Sequence, residues 1–155
     1  MRERVTQPTQ MHHVDGTFPV QFIYTAGVAG EVFGKALRDK ESFLGARCDS
    51  CAVTYVPPRT YCERCFARIE ATRKVGPQGE IVSFTESHLG PHNERLADPE
   101  TWGLIRLDGA DTVLVHRLTA KDPSRIAIGA RVKPIFRPKK DRTGVITDIE
   151  SFAVL

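Results

Sequence analysis

All four cysteines of this 155-residue chain fall inside one stretch, "RCDSCAVTYVPPRTYCERCF", residues 47–66. Cys48 and Cys51 form one Cys-x2-Cys pair, Cys62 and Cys65 a second, with ten residues between the pairs. Each pair suits a tight knuckle that points both sulfurs at one ion, and two knuckles supply the tetrahedral thiolate set preferred by zinc. Four sulfurs fill that sphere and leave no position for water or substrate, so the expected role is structural and no catalytic residue is assigned. A redox role needs only one reactive pair, and no thioredoxin-like strand and helix surround either pair here. An iron site of the same sulfur set is an alternative, because spacing does not identify the metal. A ribbon of about 25 residues buries too little apolar surface to fold alone, so bound metal is expected to carry its stability.

The elements that must position these sulfurs can be read on either side. Within the ribbon, TYVPPRTY (54–61) fits the outgoing and returning strands of a hairpin, with Pro57-Pro58 forcing the reversal. Upstream, Val28, Val32, Phe33, Ala36 and Leu37 recur at helical spacing opposite Glu31, Lys35, Arg38 and Asp39, predicting an amphipathic helix within 24–44. Gly27, Gly30 and Gly34 interrupt it, which fits a loose helix packed on its own domain or a close approach to another subunit. Downstream, GEIVSFTES (79–87), WGLIRLD (102–108), TVLVHRL (112–118), ARVKPIF (130–136) and TGVITDIESFAVL (143–155) are rich in Val, Ile, Phe and Thr. Asp108-Gly109 marks a hairpin between the second and third. Five short antiparallel strands suit a small closed barrel of the oligonucleotide/oligosaccharide-binding (OB) type, with an open sheet as the alternative. The expected organisation is an arm at 1–23, mobile or partner-wrapping, with His12 and His13 solvated. A helix at 24–44, a metal ribbon at 45–75 and an OB-fold domain at 76–155 follow, and the chain is mainly β.

Composition narrows the function classes. With 41% hydrophobic and 26% charged residues, no run of apolar residues long enough for a membrane span and a polar start, the chain reads as a cytoplasmic protein. The net charge is +3, yet residues 117–142 hold nine basic residues against Asp122 and Asp141. That segment includes Arg131, Lys133, Arg137, Lys139 and Lys140, which suit the phosphates of coenzyme A, a nucleic-acid backbone or simply solvent. Single-strand binders add stacking aromatics, and this chain has only twelve aromatic residues, several needed for its core. Residues 88–102 form an expected long loop with His88, His92, Glu94, Asp98 and Glu100, read as a cover for the barrel mouth or a partner contact in preference to a catalytic cluster. No Gly-x-Ser-x-Gly elbow and no Gly-x-Gly-x-x-Gly loop is present.

The order helix, "RCDSCAVTYVPPRTYCERC", "GPQGEIVSFTES", "WGLIRLDGADTVLVHRL" and "IGARVKPIF" resembles the DUF35 family over residues 24–137. Its most specific parts are the Cys-x2-Cys, Pro-Pro-Arg, Cys-x2-Cys series and Gly129-x-Arg131-Val132. One departure is Ala52, where glycine often follows the second ligand. The resemblance implies a rubredoxin-like zinc ribbon followed by an OB-fold, in an accessory subunit of thiolase-type enzymes. It further implies that the partner, a thiolase-fold catalytic subunit, supplies the nucleophile and binds the acyl-CoA, with a heterotetramer as the expected assembly. On that reading Val28, Val32, Phe33 and Arg59 are the expected partner contacts, and a single-stranded nucleic-acid binder is the rival.

Overall fold

The structure is a computed structural model that describes Thr9, Gly16 and residues 24–155. The expected arm at 1–23, with His12 and His13, otherwise lies outside the described residues. Among those described, no helix is long and apolar enough to cross a membrane.

Helix α1 spans Gly27–Lys40. It buries Phe33, Gly34, Ala36 and Leu37; of the stripe that the spacing marks out, Val28 and Val32 stay exposed. Its end is closed by Glu41 in the left-handed region (φ 49°), where the Glu41 and Ser42 N–H groups donate to the carbonyls of Leu37 and Ala36, while Arg38 and Lys40 oppose the negative end of the helix dipole. Three strands follow: β1 (Phe43–Cys48), β2 (Val53–Tyr55) and β3 (Thr72–Val75), in the order β2-β1-β3. The next five, β4 (Gly79–Leu89), β5 (Arg95–Leu107), β6 (Leu114–Thr119), β7 (Arg131–Phe136) and β8 (Ile149–Val154), close into a barrel in the order β4-β5-β6-β8-β7. The described residues are thus mostly strand with one α-helix, a zinc-ribbon sheet and a five-stranded OB-type barrel. One joint, β6 with β8, is parallel, so the barrel is not wholly antiparallel as its sequence suggests.

Helix, ribbon sheet and barrel share one core. Phe43 on β1 is fully buried, with ring centroids 6.4 Å from Phe33 of α1, 5.9 Å from Phe136 of β7 and 6.0 Å from Phe152 of β8. Val56 and Val75 join the same cluster from the ribbon side. The seat of α1 is cut to backbone shape: a Cβ at Gly34 would lie 2.1 Å from the Gly144 carbonyl oxygen, so only glycine fits there. This favours the reading in which Gly34 serves packing within the chain. Gly27, at φ 65°, meets nothing within 4 Å and suits the left-handed turn that starts the helix. Residues 143–148, expected as part of the last strand, form the receiving loop instead. Buried Asp148 holds it, its two carboxylate oxygens accepting the N–H groups of Thr143 and Gly144 at 2.8 Å each. Arg142 then clamps the helix end, donating to the Arg38 carbonyl at 3.3 Å, pairing with Glu41 and lying 5.6 Å over the Phe136 ring.

The expected loop at 88–102 is mostly strand. β4 and β5 pair from Gly79↔Leu107 out to Leu89↔Arg95, whereas β7 joins β4 only at Gly79 and Glu80 and β6 joins β5 only from Trp102 to Ile105. From Glu86 and Thr101 outward the two strands therefore form a ribbon-like arm projecting beyond the barrel. The Gly90-Pro91 turn and Pro99, which falls where the register slips by several residues, disguise the strand in the sequence.

His116 on β6 is buried against the barrel wall, its ring edge-on to Phe152 at 5.5 Å. Its Nδ1 accepts the Arg117 N–H at 2.9 Å, which leaves Nε2 to donate to the Ile146 carbonyl at 3.4 Å and fixes a neutral tautomer. Burial lowers its pKa from the ordinary 6.5 against the smaller pull of these two bonds. The unfolded chain then binds the proton first, so this group's stabilisation is present above 6.5 and is lost as pH falls through the folded value. Urea unfolding from about pH 7 down to about pH 5.5 is expected to show stability falling, with a shallower slope in His116→Phe. Equal slopes in the two proteins would remove His116 as the source.

Candidate metal centre

Each sulfur is carried by a knuckle at the end of the ribbon sheet. β1 delivers Cys48, the chain turns through residues 49–52, and β2 returns with Cys48↔Val53 as the closing pair. The first cysteine pair is therefore itself the hairpin turn, which corrects the expectation that Pro57-Pro58 makes the reversal; those prolines carry the chain from β2 to the second knuckle. There, Tyr61↔Arg68 closes the loop, with Phe66 N–H on the Cys62 carbonyl and Cys62 N–H on the Ala67 carbonyl, each at 2.9 Å. The residue after each second cysteine is left-handed, Ala52 at φ 54° and Phe66 at φ 59°. That conformation explains why glycine suits the position and marks Ala52 as a strained stand-in, worth about 1–2 kcal/mol.

The four Sγ atoms lie within 4.8 Å of one another, with Cys48 and Cys65 at 3.6 Å. A tetrahedral zinc with bonds near 2.3 Å sets its sulfurs ~3.8 Å apart, so the quartet fits the ion with small adjustment. Among the described residues this is the one cluster of three or more Cys, His, Asp or Glu side chains suited to a metal. His88, His92, Glu94, Asp98 and Glu100 do not converge, so the arm offers no second metal centre.

The surroundings favour a thiolate at Cys62. Tyr55, fully buried, has its hydroxyl 3.3 Å from Cys62 Sγ, and the Arg64 N–H donates to the same sulfur at 3.4 Å. In the metal-free set the Tyr55 bond brings Cys62 down to about 6, while Tyr55, whose proton that bond uses, is pushed up to about 12. The neighbouring Cys65 thiol pushes Cys51 up to about 12. A zinc ion would reverse that crowding by replacing protons shared among the sulfurs. Cys48, Cys51, Cys62 and Cys65 would hold it, and its chemistry there is to close the two knuckles into one rigid end.

The other predicted site residues are dispersed. Val28 is 78% exposed and Val32 37%, but Phe33 is 6% exposed and belongs to the core, because the helix turns that edge onto the barrel. Phe33 is therefore corrected from partner contact to core residue. Arg59 lies 5.1 Å over the Tyr55 ring and pairs with Glu63, so it is tied into the ribbon. Arg131 is committed to Asp108 through two bonds of 2.8 and 2.6 Å, which also hold the Asp108 carboxyl below its usual range. Lys133, Arg137, Lys139 and Lys140 are exposed and form no ion pair among the described residues. Sequence reasoning missed exposed Tyr61 and Phe66 beside the second knuckle as surface features, 58% and 78% exposed. The outer face of β5 and β6, where OB-folds bind nucleic acid, offers Trp102 as its aromatic, with Arg117 drawn to Glu100 at 3.8 Å.

Residues 36–70 match the family described as the ChsH2 rubredoxin-like zinc ribbon domain, and residues 72–137 the ChsH2 C-terminal OB-fold domain. Among solved structures the chain is similar to a DUF35-family protein of unknown function from Sulfolobus solfataricus, with 25% identity and a TM-score of 0.65 over 83% of this chain and 86% of that one. It is also similar in fold to a chain of the Ltp2-ChsH2(DUF35) aldolase, with 22% identity and a TM-score of 0.55 over 80% of this chain and 93% of that one.

Proposed function

The chain belongs to the DUF35 family, with ChsH2-type zinc-ribbon and OB-fold domains, and from that premise we propose that it is a non-catalytic accessory subunit of a thiolase-type acyl-CoA enzyme in the cytoplasm. The observation that carries this reading is a metal site whose four ligands are all sulfur, in a chain whose described residues hold no second metal-binding cluster. Such a site stiffens a surface and leaves bond-making to another polypeptide. The likeness to a chain of the Ltp2-ChsH2(DUF35) aldolase supports the choice of partner class.

The docking face proposed is the outer side of α1 together with the ribbon. Val28, Val32, Pro58, Arg59 and Ile69 line a groove of about 270 Å³ there, and exposed Tyr61 and Phe66 lie on the same ribbon. Aromatic and arginine side chains around an apolar groove are the composition of interface hot spots. A heterotetramer of two catalytic and two accessory chains follows if the catalytic subunit is a dimer, and the partner's acyl-CoA would then extend its phosphates toward the basic segment 117–142. Nucleic-acid binding is the rival, and the lone stacking residue on the outer β5–β6 face, beside an acidic arm, speaks against it.

Co-expression with a thiolase-fold subunit from the same genome tests this. Co-elution on size exclusion, with affinity falling about tenfold or more in Val32→Glu, is the expected result. Separate peaks together with unchanged thiolase kinetics would refute it.

A further inference from the structure

The basic segment contains a built trough that its sequence does not reveal. Ala153 on β8 is the cross-strand partner of Thr119 on β6 and of Lys133 on β7, so the three side chains form one row across the outer face of the barrel. The central member is the smallest, and the row sinks into a cleft of about 600 Å³. Lys121 and Arg125 stand on its rim and Ile135 forms part of its apolar wall. No carboxylate side chain lines it among the described residues. Arg125 donates to the Leu155 carbonyl, but Lys121 and Lys133 have no ion pair or hydrogen-bond partner among the described residues. Asp122, next to Lys121 in the chain, is occupied by the N–H and hydroxyl of Ser124 at 3.0 and 2.8 Å. The Thr119 and Ser151 hydroxyls share one hydrogen bond of 3.0 Å, which leaves the other hydroxyl hydrogen for an incoming acceptor.

We propose that this trough binds a nucleotide-sized phosphate ester, its phosphate between Lys121, Lys133 and the Thr119 hydroxyl and its organic body against Ile135 and the Ala153 floor. Two unpaired ammonium groups beside a hydroxyl match a phosphate dianion. The cleft is too large for phosphate alone and falls in the size range of small-ligand pockets. The choice of nucleotide rests on the coenzyme A reading above, whereas the site itself does not.

The zinc-loaded full chain is titrated calorimetrically with adenosine 3′,5′-bisphosphate, adenosine, pyrophosphate and coenzyme A. The bisphosphate and coenzyme A are expected to saturate one site, and adenosine to give no heat. Lys121→Ala with Lys133→Ala is expected to weaken binding about tenfold or more, Ala153→Leu to block it without altering any charge, and Lys139→Ala with Lys140→Ala to leave it within about twofold. Thermal unfolding of each variant checks that the barrel is intact. Absence of saturable binding, equal losses in the Lys139/Lys140 control, or unchanged binding in Ala153→Leu would overturn the site. Pyrophosphate binding as tightly as the bisphosphate would overturn the nucleotide-sized assignment and leave a bare phosphate site. These titrations need no partner chain, so failure of co-elution with a thiolase and failure of the trough are separate results.

Discussion

Cys62→Ser is expected to purify with far less than one zinc per chain and with residues 49–70 unfolded. Cys62 is fully buried, receives both Tyr55 and Arg64 hydrogen bonds, and sits in a small satellite core with Ala46, Cys48, Val53, Tyr55 and Ile69. Two of the six buried members of that core are metal ligands, so without the ion little holds the knuckles closed. Structural zinc contributes roughly 10–16 kcal/mol of apparent binding free energy in zinc-finger peptides, as much as the whole stability of an ordinary domain. Serine offers a harder, protonated oxygen where a thiolate is required. Elemental analysis with hydrogen exchange across 49–70 checks the outcome. A variant that keeps about one tightly held zinc and normal protection would show that the quartet does not act as one site.

Phe43→Ala is expected to cost about 3–5 kcal/mol and to lower the melting temperature by roughly 10 °C or more. The ring meets Phe33, Phe136 and Phe152 at once, so its removal opens a cavity where helix, ribbon sheet and barrel converge. No neighbouring side chain can collapse into that space without abandoning another contact. Metal release and loss of barrel circular dichroism are expected in a single transition, because β1 contributes to both. Two separated transitions, with the barrel melting at its original temperature, would show that ribbon and barrel are independent units.

Much of this is legible in the residues. The spacing of Cys48, Cys51, Cys62 and Cys65 specifies the metal quartet because ligand geometry is local, and β-branched runs bounded by turn residues locate all five barrel strands. What escapes depends on contacts between distant segments. Helical spacing places Val28, Val32 and Phe33 together, yet only the seat of Gly34 on Gly144 decides that Phe33 turns inward. The basic run reads as uniform, but Arg131 finds Asp108 and Arg142 finds Glu41 far away in sequence, while Lys133 stays unpaired among the described residues. The Thr119, Ala153, Lys133 row exists only because β8 lies between β6 and β7, an order no periodicity encodes.

The projecting β4–β5 arm leaves, among the described residues, two strand margins with unclaimed backbone donors and acceptors, the usual template for fibril-like stacking between identical molecules. Glu86, Glu94, Asp98 and Glu100 against Arg95 give every copy of that arm the same negative sign. Mutual repulsion thereby keeps one molecule's fringe from zipping onto another's.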